Sequence, residues 1–299
     1  MPDEESIDRD VASAVGGKGY DPQNTELAFF GGSFTAIDKN IYENYLKIGK
    51  KYIDGGLISG IRFSTRPDSI DRDVLDTCKK YGVTAIELGA QSMDDGVLSK
   101  NFRGHTAKDV ENAAKLITKY GFETGLQMMT GLYFDTPEKS MMTARKIAAL
   151  SPDTVRIYPT LVLKNTYLEE LYLKGEYSPE TVDEAATLSA KLIQLFEERG
   201  ITVIRVGLHD IDKENFVAGP WHPAFGEITK SRIMKQKTEE LLKNLPQGEY
   251  TVTVAPKDVS KFVGQKKENI KYFKNAGYTL RVIPDGSCEE YQVRIKEQE

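Results

Sequence analysis

Six short apolar runs separated by five amphipathic stretches leave few folds open to this chain. The runs fall at residues 27–30, 60–64, 85–89, 123–129, 155–158 and 202–206, and the stretches at 39–54, 71–81, 106–120, 137–150 and 179–199. Within 106–120, Val110, Ala113, Ala114 and Ile117 recur at i, i+3, i+4, i+7, which puts them on one helical face. Gly82, Gly121 and Gly200 each fall after a helix and before a strand, where a left-handed residue ends a helix. Strand and helix alternating this regularly predict an α/β fold with a parallel sheet, barrel-like or doubly wound.

Composition narrows the class. With 299 residues, 39 % hydrophobic and 28 % charged, the chain has material for one large α/β domain or two smaller ones. No run approaches the roughly 18 apolar residues of a membrane span. The acidic, polar start MPDEESIDRD has no targeting signature. Two cysteines, Cys78 and Cys288, make no disulfide framework and point to a reducing, cytoplasmic setting. The net charge of −5 is uneven: from Lys230 onward there are 14 Lys/Arg against 10 Asp/Glu, a basic end on an acidic body.

The alternation occupies residues 25–245. Before it, residues 1–24 are a polar helix or linker. Near its end, residues 207–227, including HDIDKENFVAGPWHPAFGE, read as a long loop rich in Gly, Pro and aromatics, with His209 and His222 in it. A helix is expected at 231–245. Residues 246–299 read as a small basic unit: strand 250–254, helix 259–263, the turn Gly264-Gln265-Lys266-Lys267, helix 269–275, then strands 279–283 and 291–295. Helix, Gly-x-x turn, helix, strand is similar to a KH module, whose GXXG loop clamps a nucleic-acid backbone. Lys267 replaces the second glycine. Gly264, Lys266, Lys267 and Lys271 are therefore the nucleic-acid-binding candidates.

Polar residues gather where the apolar runs stop, which in parallel α/β sheets is where ligands bind. They are Gly31-Gly32-Ser33, then Ser64-Thr65-Arg66-Pro67-Asp68, Gln91-Ser92 with Arg103-Gly104-His105, and Met129-Thr130-Gly131. Two guanidiniums, Arg66 and Arg103, an amide at Gln91 and bare backbone at Gly31 and Gly32 suit a small ligand carrying a carboxylate and hydroxyls. His105 reads as a hydrogen-bonded structural histidine.

The stretches FFGGSFT, STRPD and IELGAQSMDDGVLSKNFRGHT (86–106), with RIYPTLV (156–162) and AGPWHPAFGE (218–227), resemble the radical S-adenosylmethionine superfamily. The branch they resemble contains the Elongator catalytic subunit. The resemblance implies a partial (β/α)6-type, TIM-like barrel with the small α+β unit appended. It gives S-adenosylmethionine as cofactor and Gly31, Gly32, Ser33, Ser64, Arg66, Gln91, Arg103, Met129, Ile157 and Tyr158 as its contacts. Ser64 stands where many relatives carry glutamate. The catalytic residues do not transfer.

The family also implies a [4Fe–4S] cluster on three closely spaced cysteine thiolates, fed by an electron donor such as a flavodoxin or ferredoxin. This sequence has no such triad, so no metal ligand is assigned. The expectation is an enzyme family member whose first strand and cysteine loop lie before Met1, inactive as written. Its expected substrate is a tRNA base. A porphyrin- or haem-related radical protein is the enzymatic alternative, and a non-catalytic RNA-binding or scaffold protein the alternative of another class.

Overall fold

The structure, a computed structural model, describes residues 2–208 and 213–297. Of these, the residues up to 156 together with 199–204 form one compact unit, and 157–198 with those from 205 onward form a second. The first unit opens with α1 (Glu4–Val15) and then alternates: β1 (Glu26–Phe29), α2 (Lys39–Asp54), β2 (Gly60–Thr65), α3 (Arg72–Lys80), β3 (Val83–Gln91), α4 (Asp95–Lys100), α5 (Ala107–Tyr120), β4 (Glu123–Thr130), α6 (Pro137–Ala149) and β5 (Thr154–Pro159). The chain continues through β6 (Val162–Leu163), α7 (Tyr167–Leu173), α8 (Val182–Glu197), β7 (Thr202–Val206), β8 (Phe216–Ala218), α9 (Phe225–Leu242), β9 (Gly248–Val254), α10 (Val259–Val263), α11 (Glu268–Asn275), β10 (Tyr278–Pro284) and β11 (Val293–Glu297).

The six expected strands form one curled, parallel sheet, a half-barrel in the order β1-β2-β3-β4-β5-β7. In its first members Phe29 lies opposite Phe63 and Phe63 opposite Ile86, with a register shift between Ile61 and Arg62. Local chemistry sets the helix ends. Thr106 and Asp109 close a reciprocal capping box at the start of α5, and Gly121, at φ 80°, ends it in the left-handed conformation. Strand alternation then divides the residues: Ile61 and Phe63 of β2 and Leu126 and Met128 of β4 are fully buried, and the residues between them turn to the other face.

That other face is polar. Arg62 pairs with Glu26 and Glu123, and the Arg156 Nε donates to Glu87 Oε2 at 2.6 Å, both groups being largely buried. Arg62, Glu87, Glu123 and Arg156 all stand inside the strand runs read from the sequence; their pairing into ion pairs is what the sequence does not show. β1 also differs from a buried strand. It has one strand neighbour among the described residues, its side chains are half-buried, and Ala28 is exposed.

In the second unit, β6 pairs antiparallel with β8. α8 meets α9 through Ala185, Ala186, Phe225 and Ile228. α9 then shares one core with the sheet β10-β9-β11: Met234 and Leu242 pack with Tyr250, Val252, Phe262, Phe273 and Leu280. β9 and β10 are parallel, and β11 runs antiparallel to β9.

Two expectations need correcting. The stretch 207–227 is not loop throughout: β8 lies in it and α9 begins at Phe225, not at 231. The helix ends at Leu242 rather than 245. The N-cap residue is Ala224, with no side-chain cap bond, so the Ser, Thr, Asp or Asn that marks a helix start in a sequence is missing there; just before the helix the Ala224 amide donates to His222 Nδ1 at 3.0 Å. His209 lies outside the described residues.

Candidate cofactor site

The Gly31-Gly32 arch is held at both ends by aromatic packing. Phe34, buried, stacks on Phe29 at 5.0 Å and on Phe63 at 4.8 Å, with Tyr42 and Tyr45 of α2 alongside. Burying a ring of this kind contributes roughly 2–3 kcal/mol. Thr35 Oγ1 adds bonds of 2.7 Å to Thr65 Oγ1 and to the Ser69 carbonyl. Between these anchors Gly31 adopts φ 101°, a conformation that side chains resist, and Gly31 and Gly32 both face open space with no atom within 4 Å of where a Cβ would sit. The arch is rigidly placed and bare, which lets a ligand reach its carbonyls. Ser33 ends it, and Ser64 Oγ reaches the Gly32 carbonyl at 3.5 Å.

The two arginines part company. Arg66 is engaged by Asp68, its Nε donating to Oδ1 at 2.9 Å and its Nη2 to Oδ2 at 2.5 Å, and the guanidinium holds the Asp68 carboxyl below the usual carboxylate range. Arg103 has no carboxylate partner among the described residues. Burial, and secondarily the charge of Arg66, hold its guanidinium below the usual arginine value. A half-buried cation beside another cation is complementary to an anion. His105 fastens this loop, its Nε2 lying 3.1 Å from the Ala90 carbonyl.

Gln91 ends β3 at a bulge with φ 62°, and its Oε1 accepts from Gln127 Nε2 at 2.9 Å. Gly89 makes room for it, because a Cβ there would come within 2.6 Å of Gln91 Nε2. Met129 stands half-buried at the same end of β4. The carboxyl ends of β1 to β4 thus bring together eight of the ten expected contacts. Ile157 and Tyr158 belong to the second unit, where the Ile157 carbonyl accepts from the Gly207 amide at 3.0 Å. Gln127 was missed in the sequence, having no motif to mark it.

Iron is a different matter. Cys78 and Cys288 are both buried, and burial pushes the Cys78 thiol up to about 12. Among the described residues no three His, Cys, Asp or Glu side chains gather to hold a metal. The residues of this chain do not fit a [4Fe–4S] cluster.

Two adjacent family models match, the Radical SAM superfamily over residues 4–147 and the Radical_SAM C-terminal domain over 152–235, together more than half of the chain. The chain belongs to the radical SAM superfamily. Within it the similar proteins include members of the Elongator branch. A tRNA uridine(34) acetyltransferase of Dehalococcoides mccartyi is 28% identical over 54% of this chain and 39% of its own length. The human Elongator complex protein 3 is 28% identical over 59% of this chain and 36% of its own. This radical SAM chain therefore spans less than half the length of those curated relatives. The archaeal Methanocaldococcus infernus Elp3 shares its fold, with a TM-score of 0.66 at 22% identity over 82% of this chain and 59% of that one.

In the second unit the turn at 264–267 joins α10 to α11. Lys266 and Lys267 both take left-handed backbone, at φ 49° and 61°, immediately before α11. Their side chains are exposed, as is that of Lys271 one turn further on, and Gly264 precedes them. No helix of the described residues is long and apolar enough to cross a membrane.

Proposed function

We propose that this chain is the S-adenosylmethionine-holding body of a radical SAM enzyme acting on RNA, with a tRNA uridine as the substrate its relatives favour. Arg103 carries the reading: a half-buried guanidinium without a carboxylate partner among the described residues, on the rim that also bears the bare Gly31-Gly32 arch. The cofactor, when bound and reduced by one electron, supplies the radical chemistry of the family. The chain's own residues hold and orient it. The carbonyls of the Gly31-Gly32 arch accept from its ammonium, Arg103 pairs with its carboxylate, and Gln91 and Ser64 offer an amide and a hydroxyl to its ribose. Arg66, closed on Asp68, shapes the wall against Gly104. The two buried cysteines of this chain do not suit a cluster that would deliver the electron. Two buried free thiols suit a reducing cytoplasm.

RNA as the substrate rests on the names of the relatives and on the exposed lysines of the turn before α11. Fluorescence anisotropy with unmodified tRNA at several salt concentrations tests it. Saturable binding that weakens with salt is expected, and Lys266→Glu/Lys267→Glu should lower the slope of log K against log salt by about 2. A chain that binds no tRNA at low salt refutes the RNA reading. An unchanged slope removes the turn from the interface.

A further inference from the structure

Gln91 sits in backbone that resists a side chain. Its φ is 62°, at the bulge that ends β3, and across it the Ser92 amide donates to the Ala90 carbonyl at 2.7 Å. An amide bonded to the carbonyl two residues back, around a positive φ, is the rare and strained form of γ-turn. Backbone of this kind persists only where its surroundings over-determine it. The turn gives the Gln91 amide its direction. Oε1 accepts from Gln127 Nε2 at 2.9 Å, and Nε2 lies over the bare Gly89 at the carboxyl ends of the strands.

Two sets of bonds hold the turn. From α6, Thr143 Oγ1 accepts from the Met93 amide at 3.0 Å and lies 3.3 Å from Ser92 Oγ, and Lys146 Nζ donates to the Met93 carbonyl at 2.9 Å. Ser92 Oγ also accepts from the Asp94 amide at 3.1 Å, so the residues after the turn are fixed. The turn's own carbonyl, that of Ala90, is bonded by one side chain among the described residues, His105, whose Nε2 lies 3.1 Å away. A carbonyl only accepts, so Nε2 carries the hydrogen and Nδ1 is left an acceptor. His105 is 6% exposed, and its Nδ1, fully buried, has no hydrogen-bond partner among the described residues. A buried acceptor without a donor opposes folding, and an apolar side chain of similar bulk would not carry it. What the histidine supplies in exchange is the Nε2 donor.

We propose that His105 is the positioning residue for Gln91: its Nε2–H, bonded to the Ala90 carbonyl, holds the γ-turn that aims the Gln91 amide at the bound cofactor. The buried ring makes no contact with the ligand itself and acts through the turn. This rests on the cofactor reading above.

The test is calorimetric titration of the full chain with S-adenosylmethionine, as the parent and as His105→Gln, His105→Asn and His105→Leu. Glutamine carries its amide nitrogen about as far from the backbone as histidine carries Nε2, and asparagine only as far as Nδ1. His105→Gln should therefore bind as the parent does. His105→Asn and His105→Leu should bind roughly three- to tenfold more weakly, the scale of one neutral hydrogen bond. Repeating His105→Leu in two further backgrounds separates placement of Gln91 from general loosening. In Gln91→Ala its effect should vanish, because the group it places is gone, and in Arg103→Met the full factor should remain. A Leu variant that binds like the parent, or a Gln variant as weak as the Leu variant, overturns the proposal and leaves the cofactor reading standing. So does an undiminished loss in the Gln91→Ala background. Where His105→Leu fails to fold, the difference between the Gln and Asn variants decides alone. A parent that binds no S-adenosylmethionine refutes the cofactor reading and this proposal with it.

Discussion

Replacing Arg103 by Met keeps the aliphatic stem and removes the charge, and the structure gives opposite signs for the two consequences. In the unliganded fold the guanidinium is an uncompensated, half-buried cation whose pKa lies below its unfolded value because of burial and then of Arg66. A base with a depressed folded pKa favours folding only in its neutral form. At every ordinary pH, below both values, its charge opposes folding, so removing it costs no stability and the thermal midpoint should hold or rise. Binding goes the other way. A charge-assisted bond to the ligand carboxylate contributes about 1.5–3 kcal/mol, which is roughly ten- to a hundredfold in affinity. Calorimetric titration with S-adenosylmethionine, paired with thermal melts of the same samples, reads both. Arg66→Met is the comparison: its guanidinium is already closed on Asp68, so its loss should change affinity less. The reasoning fails if Arg103→Met lowers the midpoint while leaving affinity intact, because Arg103 would then be a structural arginine.

Two further outcomes follow from buried groups. Glu87→Gln removes the carboxylate that Arg156 Nε donates to and should cost about 1.5–3 kcal/mol in urea unfolding; an unchanged midpoint would mean that the pair is effectively solvated. Cys78, with its thiol pushed up to about 12, should resist iodoacetamide at pH 8 until the chain is unfolded, and incubation with iron and sulfide should leave the protein colourless. Native-state alkylation of Cys78, or one cluster per chain, would contradict this.

The α/β alternation was legible because its elements are long enough to show their period and end in glycines such as Gly121. Shorter pieces were not. β6 has two residues and β8 three, too few for alternation to register, so the 207–227 segment read as loop. α9 starts at Phe225 behind Ala224, with no side-chain cap to mark its beginning. α1 buries Ile7 and Val11 and is otherwise held by polar bonds from Lys51 to Glu4 and from Tyr52 to Asp8, an apolar pattern too sparse to separate from a polar linker. The rim residues were found through their motifs, but their partners were not. That Asp68 closes on Arg66 while Arg103 keeps no carboxylate depends on side-chain geometry, and so does the bond between Gln91 and Gln127.

The central claim is that the carboxyl ends of β1 to β4 hold S-adenosylmethionine even though this chain's cysteines do not fit a cluster. Backbone amide NMR of the full chain during titration with the cofactor tests it most directly. The account predicts saturable shifts at Gly31, Gly32, Gln91 and Arg103, all with one dissociation constant. Amides at those four positions that stay fixed while the cofactor reaches millimolar excess, or shifts confined to other parts of the chain, would contradict it.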